Sequence, residues 1–157
     1  MRASCSRHVK IVPDSTTIPG APDADILLLP GGALGAKTFC NSPEVLSLIR
    51  AYRDAGRYVG SICAATPALV VSVGGAGKTE GLESSKRVQV TSHPSVKKEI
   101  VEAGWEYSEE RVVVDGKVVT SRGPGTAGEW ALMVVELIVG KEKREEVSGP
   151  MIWPGGS

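Results

Sequence analysis

The sequence predicts an α/β domain in which helices pack around a mainly parallel sheet. Two apolar segments, 25–30 (DILLLP) and 58–62 (YVGSI), have the length and continuity of strands in the covered interior of such a sheet. Strand-like and helical patterns alternate along the chain, which favours parallel pairing. A length of 157 residues fits one domain, and we expect residues 1–157 to form it.

The helix predicted at 42–55 carries signals at both ends. Ser42 is a favourable N-cap, Pro43 suits the first helical position, and Gly56 stops the helix. Apolar side chains recur at helical spacing and should form its buried stripe: Val45, Leu48, Ile49 and Tyr52.

The other elements are predicted from the same kinds of signal. A helix at 129–139 is closed by Gly140, and Thr126 with Glu129 offers it a capping box. The apolar run 64–73 suits a helix packed inside the fold. The remaining predictions are strands at 8–12 and 87–92, a short helix at 93–104 with Val96, Ile100 and Val101 inward, a hairpin at 111–121 turning at Asp115 and Gly116, a turn at 29–35 and an exposed loop at 74–87.

Charge and composition narrow the class of function. Acidic and basic residues number 18 each, so no overall field draws the chain to nucleic acid or to an acidic membrane, and we expect a small neutral partner. The uncharged run 58–77 is long enough to cross a bilayer, but its glycines, hydroxyl residues and Pro67 argue against a span. The first ten residues lack the apolar core of a signal peptide, so we expect a cytoplasmic protein.

The three cysteines, Cys5, Cys40 and Cys63, lack the paired spacing of a metal site or a disulfide framework. We therefore expect free thiols in a reducing compartment and no bound metal. For Cys5 and Cys40 we expect a structural or incidental role, because neither has a partner in the sequence pattern that would activate its thiol.

Cys63 falls where the predicted strand 58–62 feeds directly into the predicted helix 64–73. This is the arrangement of a nucleophile elbow, at the sheet edge where open α/β folds bind ligands. The helix N-terminus favours a thiolate there, and its free amides can hold a developing oxyanion. The pattern leaves open the alternative of a buried, inert cysteine.

Three further segments could contribute to a site at the same edge. His93 stands at the end of a predicted strand, where it could exchange a proton with the thiol or simply pack. Gly32 permits a close backbone approach and could donate its amide to an oxyanion, or could merely form a turn. In 121–126 (SRGPGT), Pro124 could wall the pocket, and Arg122 could anchor a carboxylate or be a surface charge.

Four segments, taken in order, resemble the ThiJ/PfpI superfamily and in particular its parkinsonism-associated deglycase branch, the DJ-one family: DILLLPGGALGA, GSICAATPALV, TSHPSVKKEI and YSEERVVVDGKVVTSRGPGTAGEWALMVVELIVGKE. The resemblance covers the chain from about Cys5 to Trp153. The combination is highly specific, whereas each segment alone is not.

The resemblance implies a flavodoxin-like three-layer sandwich, a homodimer, no cofactor, and a readily oxidised elbow cysteine, here Cys63. The other matching positions are His93 near that cysteine, Gly32 and Ala64 as oxyanion amides, Pro124 in the pocket wall and Arg7 near the dimer contact. Family members are described as glutathione-independent glyoxalases, as protein deglycases, and as oxidative-stress sensors with chaperone behaviour.

The chain departs from the family pattern in two places. Family members carry a β-α-β unit before the point that matches Cys5, and that unit holds the glutamate that hydrogen-bonds the cysteine and shuttles protons. We therefore expect an N-terminally truncated domain without that glutamate. The segment 78–89 also looks longer than usual, and it could cap the site or lie in solvent.

Two functions of different class follow as hypotheses. The first is attack of the Cys63 thiolate on an α-oxoaldehyde such as methylglyoxal, giving a hemithioacetal that rearranges and is hydrolysed to a 2-hydroxy acid, at a rate impaired by the missing glutamate. The second is a thiol sensor of oxidative stress in a dimeric, chaperone-like module, which needs only an accessible thiolate. A cysteine peptidase or amidotransferase is disfavoured, because His93 is followed by Pro94 and Ser95 rather than by x-Glu.

Overall fold

The structure is a computed structural model that describes residues 2–5, 8–18, 22–74 and 85–152. It confirms the α/β class, with helices flanking a four-stranded mixed sheet. The strands are β1 (Ala3–Ser4), β2 (Lys10–Ile11), β3 (Ile26–Leu29), β4 (Tyr58–Ile62), β5 (Val112–Asp115) and β6 (Val118–Ser121). The helices are α1 (Ala33–Asn41), α2 (Pro43–Asp54), α3 (Thr66–Gly74), α4 (Lys97–Glu102), α5 (Ala127–Val139) and α6 (Lys141–Ser148).

The main sheet has the strand order β3-β4-β6-β5. β4 pairs in parallel with β3 and with β6, whereas β5 and β6 form an antiparallel hairpin. The sheet is therefore mainly parallel, as predicted, and the carboxyl ends of β3, β4 and β6 meet at one edge. The hairpin turns at Gly116 and Lys117, between the paired residues Asp115 and Val118, which is one position beyond the predicted turn.

The hydrophobic core lies between one face of this sheet and helices α2, α3 and α4. Val59 of β4 and Val118 of β6 contribute from the sheet. The stripe predicted for α2 is confirmed, because all four side chains are buried in this cluster: Val45, Leu48, Ile49 and Tyr52. The helix also begins as predicted, since Ser42 Oγ accepts a hydrogen bond from the Val45 N–H at 3.4 Å.

Helix α5 covers the opposite face of the sheet, and Gly60 lets it approach closely. A Cβ atom placed on Gly60 would lie 2.6 Å from Leu28 Cδ2, 3.0 Å from Trp130 Cζ2 and 3.2 Å from Val119 Cγ1. The Trp130 indole N–H donates to the Val119 carbonyl at 3.3 Å and ties α5 to β6. The space at Gly60 is therefore filled from three sides, which makes a side chain at this position costly.

Replacing Gly60 by alanine is expected to lower the free energy of unfolding by about 1–3 kcal/mol, the usual cost of overpacking a filled core. Denaturant unfolding measures this change. Gly35→Ala in α1 is the matched control, because a Cβ there meets no atom within 4 Å and alanine favours a helix by roughly 0.5–1 kcal/mol. Equal stability of Gly60→Ala and the unmodified chain would contradict the close packing of α5 on β4.

The strand predicted at 87–92 is wrong, since only Val90 forms an isolated parallel bridge, with Tyr107. Two backbone N–H groups of the segment donate to hairpin side chains instead: Gln89 to Asp115 Oδ2 at 2.7 Å and Thr91 to Thr120 Oγ1 at 2.9 Å. On the side that faces the hairpin, side-chain acceptors thus take the place of the backbone carbonyls that a strand would need, and backbone bonds form only at Val90, with Glu106 and Ser108.

The strand predicted at 8–12 is also wrong in extent and place. Only β2 forms, and it pairs with β1 in a separate two-stranded antiparallel sheet. His8 has a left-handed φ of 62°, and Val9 and Val12 are 55% and 71% exposed, so this segment is not part of the main sheet.

Other differences concern helices. The sequence predicts only a turn at 29–35, whereas helix α1 begins directly after Gly32. Val101 is exposed rather than inward, although Ile100 is fully buried as predicted. The predicted capping box at Thr126 is absent, because the Thr126 hydroxyl bonds to the backbone of Gly123.

Some predictions concern residues outside the described ranges. These are the dimer contact at Arg7 and most of the loop at 74–87, of which 75–84 is not described. The uncharged run 58–77 is divided between β4 and α3 in its described part. Over the described ranges no helix has the length and hydropathy required to cross a bilayer.

Candidate active site

Cys63 lies at the sharp turn between β4 and α3, where it opens the short 3₁₀ turn Cys63–Ala65. Its φ of 65° is in the left-handed region, which residues other than glycine rarely adopt. The residues on either side, Ile62 and Ala64, are buried, whereas Cys63 is half-buried. The chain therefore holds an unfavourable backbone conformation where it brings one thiol towards the surface, as is typical of functional sites.

Gly31 is the residue packed against Cys63. A Cβ atom on Gly31 would lie 2.7 Å from Cys63 Cβ, 3.0 Å from the Ile62 carbonyl oxygen and 3.5 Å from Cys63 Sγ. The loop after β3 therefore passes directly beside the thiol, and only glycine leaves room for it. The sequence predicts a site residue at Gly32 and not at Gly31, although the glycine pair after a buried strand is a signal for a close backbone approach.

The predicted oxyanion residues lie next to this contact. Gly32 is the N-cap of α1, with φ of 111°, and its carbonyl accepts the Ala36 N–H at 2.8 Å. Ala64 follows Cys63 directly and is 8% exposed. Both positions therefore belong to helix starts at the carboxyl edge of the sheet, the kind of place where free amides face a ligand.

His93 is tied to the cysteine turn through the backbone, because its N–H donates to the Cys63 carbonyl at 3.1 Å. Its exposed ring is held by Ser95: Nδ1 accepts the Ser95 N–H at 3.2 Å and lies 2.8 Å from Ser95 Oγ. This pattern assigns the proton of the neutral ring to Nε2. His93 is thus arranged to donate a hydrogen bond from Nε2, and not to accept one there.

Pro124 is exposed and opens the 3₁₀ turn Pro124–Thr126 that precedes α5. The preceding residue, Gly123, is close to the histidine, since a Cβ atom on it would lie 3.8 Å from His93 Cδ2. The turn after β6 therefore lies beside His93, and the turn after β3 lies beside Cys63. The structure brings these segments together at one edge of the sheet.

Arg122 is held by Glu109 on the outside of this edge. Its Nη1 donates to the Glu109 carbonyl at 2.8 Å and lies 2.5 Å from Glu109 Oε2. Lys97 forms a further ion pair with the same carboxylate. Of the two interpretations that the sequence left open, the structure favours the ion-paired surface charge.

Hydrogen bonds from Lys97 and then Arg122 hold the pKa of Glu109 below its ordinary value. A lowered pKa in the folded state stabilises the fold above the ordinary glutamate pKa of about 4.3, and this contribution is lost as the pH falls. We expect Glu109→Gln to show a smaller loss of melting temperature between neutral pH and pH ~3 than the unmodified chain, and the effect to be small because the carboxylate is exposed. Glu110→Gln is the control. Identical pH profiles for Glu109→Gln and the unmodified chain would contradict the assignment.

The other cysteines differ from Cys63 in their surroundings. Cys5 is exposed, and Cys40 lies half-buried on α1. Burial, and secondly the Glu99 carboxylate, raise the pKa of the Cys40 thiol, which makes it a poor nucleophile at neutral pH. Within the described ranges no group of three His, Cys, Asp or Glu side chains is placed to hold a metal ion, and no carboxylate hydrogen-bonds the Cys63 thiol.

The fold and the site define a class: an α/β sandwich with a strained, half-buried cysteine between a parallel strand and a helix, and a histidine bonded to the same turn. Comparison with known protein families identifies this class, because the model of the DJ-1/PfpI family matches residues 2–137. The chain belongs to the DJ-1/PfpI family, which confirms the resemblance seen in the sequence.

Individual proteins of this family are similar to the chain over most of its length. Protein DJ-1alpha of Drosophila melanogaster is 38% identical over 151 residues, which cover 95% of this chain and 65% of that protein. The glutathione-independent glyoxalase DJ-1 of Schizosaccharomyces pombe is 35% identical over 142 residues, or 87% of this chain and 69% of that protein. The chain thus spans about two thirds of the length of these relatives.

Solved structures show the same fold. Drosophila melanogaster DJ-1beta superposes with a TM-score of 0.84 at 37% identity, covering 96% of this chain and 76% of that one. Schizosaccharomyces pombe DJ-1 gives a TM-score of 0.82 at 32% identity, covering 98% and 78%. The flavodoxin-like arrangement implied by the resemblance is therefore confirmed.

Proposed function

We propose that this chain is a glutathione-independent glyoxalase that converts α-oxoaldehydes such as methylglyoxal to 2-hydroxy acids, with Cys63 as an elbow nucleophile. The observation that carries the proposal is the left-handed φ of 65° at Cys63, a half-buried residue between buried neighbours. Two relatives named glutathione-independent glyoxalase, from Schizosaccharomyces pombe and Caenorhabditis elegans, are 35% and 32% identical to it.

The reaction adds one water to methylglyoxal and needs no oxidant. The Cys63 sulfur attacks the aldehyde carbon and forms a hemithioacetal, whose oxygen takes up a proton. A proton then moves from that carbon to the neighbouring carbonyl carbon, while the hydroxyl proton of the hemithioacetal passes to the oxygen of that carbonyl, which leaves a lactoyl thioester on Cys63. Water cleaves the bond between sulfur and carbon, releasing lactate and the free thiol.

The site residues take separate roles in this proposal. The amides of Gly32 and Ala64 bind the oxyanion that develops on the substrate, since both begin helices at the same sheet edge. His93 donates its Nε2–H to a substrate oxygen, in keeping with the bonds at Nδ1. Pro124 forms the pocket wall beside His93.

The proton shift on carbon also needs a base, and such help is typically worth about 10²–10⁴-fold in rate. Because Nδ1 of His93 accepts the Ser95 N–H, a ring that carries one proton carries it on Nε2 and is poorly suited to this task. We therefore propose slow turnover, since no carboxylate among the described residues hydrogen-bonds the Cys63 thiol. The same nucleophile would serve a deglycase reaction.

We further propose that the protein is cytoplasmic and forms a homodimer. The three free thiols fit a reducing compartment such as the cytosol.

Lactate formation tests the glyoxalase proposal. The protein is incubated with methylglyoxal without glutathione, and lactate and remaining methylglyoxal are quantified by NMR. We expect more lactate than protein thiol, which demonstrates turnover, and equal activity in Cys40→Ser. Consumption of methylglyoxal without lactate would mean adduct formation on lysine and arginine side chains only, and would overturn the proposal.

A second candidate, a thiol sensor of oxidative stress, is favoured by the contrast between Cys63 and Cys40. Cys63 is partly accessible at a strained turn, whereas burial and Glu99 raise the pKa of Cys40. Mild peroxide should therefore oxidise Cys63 to a sulfinate before Cys40. Peptide mass spectrometry that finds oxidation spread evenly over Cys5, Cys40 and Cys63 would count against the sensor.

A further inference from the structure

In each of two neighbouring strand-to-helix turns, a serine before the turn and a threonine after it have their hydroxyl groups within hydrogen-bond distance of each other. In SICAAT (61–66), Ser61 Oγ lies 3.1 Å from Thr66 Oγ1. In SRGPGT (121–126), Ser121 Oγ lies 2.6 Å from Thr126 Oγ1. All four side chains are buried, and each pair brackets a turn that belongs to the candidate site. We call the first pair, Ser61 with Thr66, the elbow bracket.

The elbow bracket has a defined direction. The Thr66 hydroxyl donates its single proton to the Thr91 carbonyl at 3.1 Å. The proton shared between Ser61 and Thr66 must therefore come from Ser61, so that Ser61 donates to Thr66 and Thr66 donates to Thr91. Ser61, Thr66 and Thr91 are each 0% exposed, so water cannot replace these bonds.

The chain of bonds ends at the segment that carries His93. Thr91 lies two residues before His93, and its own N–H is fixed by Thr120 Oγ1 at 2.9 Å. Thr120 is the partner of Ser61 in the pairing of β4 with β6. The segment that carries His93 is therefore bonded to the cysteine turn at two points. Thr66 donates to the Thr91 carbonyl, and the His93 N–H donates to the Cys63 carbonyl.

We propose that Thr66, with Ser61, is a positioning residue that sets the Cys63 thiol relative to His93. A left-handed φ at a cysteine persists only where its surroundings hold it, and the elbow bracket spans that cysteine and fixes both ends of its turn. Thr66 touches no substrate and acts through Cys63 and His93. The inference rests on the proposed function for its effect on turnover, but its effect on the thiol itself does not depend on it.

Thr66→Val removes the hydroxyl at nearly constant shape, and Thr66→Ser keeps it. We expect Thr66→Val to lower the alkylation rate of Cys63 by iodoacetamide at neutral pH, and kcat for lactate formation, by roughly 10- to 100-fold, the range set by small misplacements of reacting groups. KM should change little, because the substrate contacts remain. Thr66→Ser should restore both rates, and the rate at Cys5 in the same molecule should not change.

The matched control is Ser72→Ala on the same helix. Its hydroxyl is equally buried but bonds only to the Leu69 carbonyl within α3, at 2.6 Å. Loss of this bond should leave Cys63 alkylation unchanged. Rates are compared well below each melting temperature, so that a general loss of stability does not enter the comparison.

If Thr66→Val does not fold, Ser61→Ala tests the same inference, since it removes the donor and leaves the bond from Thr66 to Thr91. It should slow Cys63 alkylation by roughly 5-fold, the value of about one hydrogen bond. Unchanged alkylation in the folded variants, or equal slowing in Ser72→Ala, would overturn the inference. Absence of lactate in the unmodified chain would instead overturn the glyoxalase proposal, while the alkylation comparison still decides the role of Thr66.

Discussion

A Cys63→Ser chain is expected to form lactate from methylglyoxal roughly 10³- to 10⁶-fold more slowly than the unmodified chain, the range seen when a nucleophile is removed. The serine hydroxyl is a poor nucleophile at neutral pH unless a base takes its proton. His93 does not serve as that base from Nε2, because its Nδ1 accepts from Ser95 and the ring proton is on Nε2. The loss is therefore expected in kcat.

The fold of Cys63→Ser should be preserved, since the replacement changes one atom in a half-buried side chain. Circular dichroism and the melting temperature check this directly. Cys5→Ser and Cys40→Ser are the matched controls and should keep full activity, because Cys5 is exposed in the two-stranded region and Cys40 lies on α1. Activity that survives in Cys63→Ser, or is lost in either control, would remove the proposed mechanism.

Gly31→Ala is expected to lower kcat by about 10²-fold through displacement of the thiol. The new Cβ would lie 2.7 Å from Cys63 Cβ and 3.0 Å from the Ile62 carbonyl oxygen, which belong to the strained turn and the last residue of β4. Neither atom is the end of a flexible side chain, so the turn itself must shift. The free energy of unfolding should also fall, by about 1–3 kcal/mol.

Gly35→Ala separates this clash from any general effect of alanine, because a Cβ there meets no atom within 4 Å. It should retain full activity. The alkylation rate of Cys63 in Gly31→Ala reports the displacement without the substrate and should fall together with kcat. A Gly31→Ala chain with normal kcat and normal alkylation would show that the loop after β3 does not position the thiol.

The elements that the sequence predicts correctly are those whose signals lie within the element or at its ends. Helix α2 carries its cap at Ser42 and a complete apolar stripe, and both act within a few residues of the chain. Cys63 was found because it lies at the junction of two such elements, β4 and α3. The carboxyl edge of the sheet then follows from parallel pairing alone.

The predictions that the structure contradicts depend on contacts between residues that are far apart in the sequence. Residues 87–92 have the composition of a strand, but side chains of the distant hairpin, Asp115 and Thr120, take up its N–H groups. Of the glycine pair after β3, Gly31 rather than Gly32 packs on Cys63, and this depends on the path of the loop in space. The spacing of the elbow bracket is visible in the sequence, but its buried third partner, the Thr91 carbonyl, is not.

Competition between methylglyoxal and iodoacetamide tests most directly whether Cys63 is the reactive centre. The intact protein is treated with limiting iodoacetamide at neutral pH, with and without methylglyoxal, and modification of each cysteine is quantified by peptide mass spectrometry. We expect Cys63 to be alkylated before Cys40, and methylglyoxal to protect Cys63 while leaving the exposed Cys5 largely unprotected. Preferential alkylation of Cys5 or Cys40, with no protection at Cys63, would contradict the assignment of Cys63 as the nucleophile.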